Sequence, residues 1–108
     1  MMTVKQISVT ELHAKIHNEE PLVLLDVREP SEFQYARIAD SVLIPLQQIP
    51  HRLTELNPHQ VIVVICHHGM RSQQAAQYLV HSGFENIFNL TGGIDAWSCQ
   101  CDSAVLRY

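Results

Sequence analysis

Two stretches of the chain carry apolar residues without polar alternation. Leu22-Val23-Leu24-Leu25 runs into Asp26-Val27-Arg28, and Val61-Ile62-Val63-Val64-Ile65 runs into Cys66. Runs of this kind suit strands buried on both faces, as in parallel sheets covered by helices. Val42-Leu43-Ile44 and Ile87-Phe88-Asn89-Leu90 predict two shorter strands. Between these runs the apolar period lengthens. Ser8-Val9-Thr10-Glu11 reads as a capping box, with Ile7 and Leu12 as its hydrophobic staple. It predicts a helix to about Asn18, with Leu12 and Ile16 on one face. Pro30 fits the first position of a short helix through Phe33. Pro45, Pro50 and Pro58 keep any helix in the middle of the chain short. Ser72 to Ser82 predicts a longer helix with an apolar face of Ala75, Ala76, Leu79 and Val80, stopped by Gly83. Thr91-Gly92-Gly93 opens a last helix that carries Ala96 and Trp97. Strands alternating with helices predict the α/β class: a three-layer sandwich with a mostly parallel central sheet and helices on both faces.

With 108 residues, 46% of them hydrophobic and 17% charged, the chain is expected to be one folded domain over residues 1–108. That size leaves room for one active cleft. A net charge of −4, with Lys and Arg scattered, argues against nucleic acid, because phosphate binding needs a basic face. No apolar run approaches the roughly 20 residues that span a bilayer. Met1-Met2-Thr3-Val4-Lys5 is followed by no apolar stretch of signal-peptide length. No membrane partner and a cytoplasmic location are therefore expected. Three cysteines are an odd number and too few for a disulfide framework. In a reducing compartment such residues are catalytic, metal-binding or inert.

The chemistry concentrates in Val64-Ile65-Cys66-His67-His68-Gly69-Met70-Arg71-Ser72. This segment joins a buried strand to a helix at the strand's carboxyl end, where open α/β sheets place their ligands. A loop entering a helix turns backbone N–H groups toward a common centre and favours an anion there. A thiolate is such an anion, so Cys66 is expected to be a good nucleophile. Gly69 permits a tight curl, and Arg71 adds a permanent charge with a forked donor set. The plainer reading is that Cys66 is a core thiol packed as a small hydrophobe. Gly69 and Arg71 at this spacing, followed by a helix, favour the nucleophile. A thiolate held this way can attack a sulfane sulfur or a phosphoryl group.

Three motifs in order resemble those of the single-domain rhodaneses. They are Leu25-Asp26-Val27-Arg28-Glu29-Pro30, the strand and loop from Val61 to Ser72, and Asn89-Leu90-Thr91-Gly92-Gly93-Ile94-Asp95-Ala96-Trp97. The resemblance covers nearly the whole chain and implies the rhodanese-like fold. It also implies sulfur transfer from thiosulfate or a persulfide donor, through a persulfide on Cys66, to a thiophilic acceptor. It assigns His67, His68, Gly69, Met70 and Arg71 to the loop that binds substrate, and makes Asp26 and Arg28 architectural. No metal or organic cofactor is implied. The implied partners are small sulfur donors and acceptors such as thiosulfate, cyanide and thiols, or proteins carrying persulfides. The loop from Cys66 to Arg71 is six residues long, the length of sulfurtransferases in this fold, whereas related phosphatases and arsenate reductases use one residue more. Two other readings remain: a non-catalytic interaction module, and a phosphatase or arsenate reductase. Where family members often carry Gly-His-Ile-Pro-Gly-Ala, this chain has Ala36-Arg37-Ile38-Ala39-Asp40-Ser41.

The paired His67 and His68 suggest a metal only superficially, since neighbouring residues rarely point all their donors at one ion and no second close ligand pair is evident. Cys99 and Cys101 read as a reduced pair outside the core motifs. Trp97 is expected to anchor the last helix by packing. Asp95 is expected to cap or salt-bridge near that helix's start, and Tyr108 with the tail to be mobile. His13, His17, His51, His59 and His81 are expected on the surface.

Overall fold

The computed structural model describes residues 3–108; Met1 and Met2, which open the stretch read for a leader, lie outside the described residues. The two apolar runs form the central strands β2 (Val23–Asp26) and β4 (Val61–Ile65). They pair in parallel, with Leu25 opposite Val64 and Asp26 opposite Ile65. The flanking strands are β1 (Lys5–Ile7), β3 (Val42–Leu43) and β5 (Asn86–Leu90). The sheet order is β1-β5-β4-β2-β3, and every pairing is parallel. Alternate residues of β4 show why the run has no polar positions. Ile62, Val64 and Cys66 join one core, and Val63 and Ile65 join the other.

Four helices cover the two faces: α1 (Val9–His17), α2 (Pro30–Tyr35), α3 (Met70–His81) and α4 (Gly93–Gln100). The capping box at α1 forms as predicted, with the Glu11 N–H donating to Ser8 Oγ and the Ser8 N–H donating to Glu11 Oε1. Ile7 and Leu12 are both buried in one cluster, as a staple requires. At the other end of α3, the Gly83 N–H reaches Val80 O and the Phe84 N–H reaches Leu79 O. This is a Schellman motif with Gly83 at φ +96°. Pro50 lies inside a six-residue 3-10 helix, Leu46–His51, and a second short one spans Leu53–Glu55. Trp97 is buried in the α4 core, and the five histidines expected on the surface are exposed.

Two elements differ from expectation. Strand β1 was not predicted, because three residues at a sheet edge with one buried position leave no readable period. Helix α3 begins at Met70 rather than Ser72. Gly69, at φ +111°, turns the chain straight into the helix, so Met70 and Arg71 already belong to its first turn.

At the carboxyl end of β2, Arg28 and Asp26 form a fully buried ion pair, with Nη2 to Oδ2 at 2.7 Å. The Arg28 Nε and backbone N–H also donate to Asp26. The remaining guanidinium N–H groups reach Ala36 O, Glu32 O and Tyr108 Oη. A buried cation whose donors are all met is tolerated; one stripped of its counter-ion is not. Asp26→Ala is therefore expected to cost about 3–5 kcal/mol, read as a lower urea midpoint in an unfolding titration of the two proteins.

Candidate active site

Cys66 follows the last residue of β4, and its side chain lies in the core cluster with Leu25, Val27, Ala75 and Ala76. The residue is 1% exposed. The Gly69 N–H donates to its Sγ at 3.0 Å, and Ser72 Oγ lies 3.3 Å away. Of the N–H groups expected to converge, that of Gly69 thus reaches the sulfur directly. The first turn of α3 follows at once, so its N-terminal N–H groups and dipole sit beside the thiol.

Helix α4 braces the loop from outside. The Ile94 N–H donates to Cys66 O at 2.9 Å and the Asp95 N–H donates to His67 O at 3.1 Å. This approach needs Gly93, since a Cβ there would overlap both carbonyl oxygens. Sequence reading placed Gly92-Gly93 at a helix start; the contact with the Cys66 loop is an additional reason for the second glycine.

The predicted loop residues separate by role. His67 is half-buried, while His68 and Met70 are exposed, Met70 at 84%. The rings of His68, His67 and Tyr108 form a continuous stack, with centroids 4.0 Å and 4.1 Å apart. Burial, aided by the neighbouring His68, holds the His67 imidazole below its ordinary range. The expected mobility of Tyr108 is not what the structure shows. Its hydroxyl accepts from Arg28 Nη1 and donates to Glu32 Oε2, both at 2.8 Å. The preceding residues are tied as well, Arg107 to Asp95 and Val105 O to Ser98 Oγ. Polar anchors of this kind are spread along the chain and leave no local pattern to read.

Ligand atoms of His67, His68 and Asp95 lie within 4.8 Å of one another. Asp95 is also engaged by Arg107 at 3.0 Å, and that hydrogen bond holds its carboxyl below the usual range. The trio is an electrostatic cluster, as the salt-bridging reading of Asp95 anticipates.

Arg71 points its fork at Glu32, with Nη1 to Oε1 at 2.6 Å and Nη2 to Oε2 at 2.9 Å. Hydrogen bonds from Arg71 lead the causes that hold the Glu32 carboxyl down at about 2. The Arg71 charge in turn is raised first by Glu32 and also by Cys66. Its fork ties α3 to α2. Sequence reading did not single out Glu32. Its one signal is an acid in the first turn of a helix opened by Pro30. Asp40, in the stretch that departs from the family motif, takes a left-handed φ of +67°; an aspartate adopts that conformation more readily than most residues. Cys99 is exposed, and Cys101 is half-buried with its thiol on Val9 O.

Residues 8–100 match the rhodanese-like domain family. This chain belongs to that family. As a rhodanese-like protein it is 35% identical to a thiosulfate sulfurtransferase, GlpE, of Pseudoalteromonas translucida, over 98% of this chain and 100% of that protein. It is 38% identical over 97% of its length to the chloroplastic rhodanese-like/PpiC domain-containing protein 12 of Arabidopsis thaliana, of which it spans 38%. A crystal structure of a rhodanese-like domain protein from Staphylococcus aureus superposes with a TM-score of 0.85 at 30% identity, covering 97% of this chain and 99% of that one.

Two outcomes follow from the rhodanese-like site. Gly93→Ala is expected to displace the Cys66 loop, lowering both the melting temperature and the rate at which Cys66 is alkylated. The depressed Glu32 carboxyl contributes stability that is complete above its ordinary value of 4.5 and is lost as pH falls toward about 2. The stability gap between wild type and Glu32→Gln is therefore expected to be constant above that range and to narrow through it, measured by acid titration of the unfolding midpoint.

Proposed function

We propose that this chain moves sulfane sulfur through a persulfide on Cys66. The Cys66 thiolate attacks the outer sulfur of a donor. With thiosulfate, the new S–S bond forms on Cys66 and sulfite leaves with the electron pair of the broken bond. A thiophilic acceptor then attacks the outer sulfur of the persulfide. Cyanide leaves as thiocyanate, and the Cys66 thiolate returns. Each step is a displacement at sulfur, so the cycle is balanced without an oxidant, a metal or an organic cofactor.

The observation that carries this reading is the Gly69 N–H on Cys66 Sγ at 3.0 Å, in a six-residue loop that enters α3. A donor aimed at the sulfur stabilises the thiolate both as attacking and as leaving group. The loop from Cys66 to Arg71 supplies the rest: Gly69 the curl, Arg71 a fixed charge, and His67, His68 and Met70 the surface a substrate meets. The names of relatives support the same chemistry, a thiosulfate sulfurtransferase among them. A putative sulfur carrier protein of Bacillus subtilis, 36% identical over 89% of this chain, supports a protein-borne persulfide as a further donor or acceptor. Three free thiols suit a reducing compartment such as the cytoplasm. No helix among the described residues is long and apolar enough to cross a membrane.

Intact-mass spectrometry after thiosulfate treatment tests the proposal. Wild type is expected to gain about one sulfur mass, to lose it on adding cyanide, and Cys66→Ser to gain none. A wild-type protein that stays unmodified by both thiosulfate and a protein persulfide would sink the reading.

A further inference from the structure

Ser72 lies beneath Cys66 with no access to solvent. A serine hydroxyl has one proton to give, and here it goes to Asn89 Oδ1. On its other side the Asn89 amide meets a side chain of β1. Its Nδ2 donates to Gln6 Oε1 at 3.0 Å, and Thr91 Oγ1 donates to the same oxygen at 3.4 Å. Gln6 Nε2 in turn donates to Gln73 Oε1 at 2.8 Å. The chain of hydrogen bonds leaves α3 at Ser72, crosses β5 and β1, and returns to α3 at Gln73.

This direction has a chemical consequence at Cys66. With its proton on Asn89, Ser72 presents lone pairs to Sγ across 3.3 Å. That arrangement accepts an S–H proton and suits the thiol. A thiolate in the same place needs a donor. Ser72 becomes one by turning its proton away from Asn89, which leaves a buried carbonyl unpaired, or if Asn89 rotates, which breaks its bond to Gln6 unless the Gln6 and Gln73 amides turn over with it. Either cost falls on the thiolate alone.

We propose that Asn89, held by Gln6, is a positioning residue that competes with Cys66 for the Ser72 proton and so sets the share of reactive thiolate. The proposal rests on the reading of Cys66 as the nucleophile. Loosening the amide chain releases the Ser72 hydroxyl to the sulfur. The charged and titratable groups around Cys66 are Arg71 from α3, Asp95 from α4, the Asp26–Arg28 pair from the end of β2, and His67 and His68 from the loop. The test leaves all of them in place.

The test is the pH dependence of iodoacetamide alkylation at Cys66, followed by peptide mass spectrometry so that Cys99 and Cys101 are counted apart. Gln6→Leu and Asn89→Leu are each made in the wild-type and the Ser72→Ala backgrounds. Both are expected to move the half-maximal pH downward and to raise the rate on the acid side by about three- to tenfold, the weight of one hydrogen bond. In the Ser72→Ala background the same changes are expected to move nothing. Gln6 is exposed on an edge strand, so its variant carries the test if Asn89→Leu does not fold. An unmoved or raised half-maximal pH would overturn the proposal, as would an equal shift without Ser72. Alkylation needs no sulfur donor. A moved profile without persulfide formation would therefore fail the sulfur-transfer reading and leave this one standing, and persulfide formation with an unmoved profile would do the reverse.

Discussion

A guanidinium with no access to water requires a partner for every N–H group, and Arg28 finds its partners in four parts of the chain. Asp26 supplies the counter-charge from the same strand end, while Glu32 O, Ala36 O and Tyr108 Oη complete the set. These contacts fix α2 against the sheet although α2 buries none of its own residues. Its placement then puts the Glu32 carboxylate opposite Arg71, and Arg71 stands in the first turn of α3, directly after the Cys66 loop. The ion pair beneath β2 is thereby connected to the thiol through α2 and not through the sheet alone. The desolvation cost of such a pair is large, and here it is offset by hydrogen bonds that meet every N–H of the guanidinium.

The loop itself is held from three directions. From below, β4 delivers Cys66 into a core filled by Val64 and Ala75. From the side, Gly69 admits a left-handed turn so that α3 starts without a linker. From outside, α4 closes on the loop carbonyls through the gap left by Gly93. What remains exposed is a rim of dissimilar surfaces: the flat His68–His67–Tyr108 stack on one side and the bare Met70 side chain on the other.

Much of this was legible in the chain because it depends on local spacing. The unbroken apolar runs marked the two central strands, the Ser8 capping box placed α1, and the strand–Cys66–Gly69–Arg71–helix order marked the loop in which the Gly69 N–H meets the Cys66 sulfur. Strand β1 was not legible, since three edge residues with one buried position resemble any short extended piece. Nor were the pairings of Arg71 with Glu32, Ser72 with Asn89, and Tyr108 with Glu32 and Arg28, which span 17 to 80 residues in sequence. Such pairings are decided by tertiary approach. Asp40 shows the converse: it takes a left-handed φ that favours glycine, and aspartate accommodates it.

The two hydrogen bonds from α4 to the loop carry one more implication. In a trans peptide the C=O and the N–H point in opposite directions. Anchoring the carbonyls of Cys66 and His67 on Ile94 and Asp95 therefore aims the amide hydrogens of His67 and His68 away from α4. Those peptide planes cannot swing over without giving up a bond to the helix. The orientation of these two peptide dipoles is accordingly decided when the chain folds, and the arrival of negative charge calls for no turning of either plane.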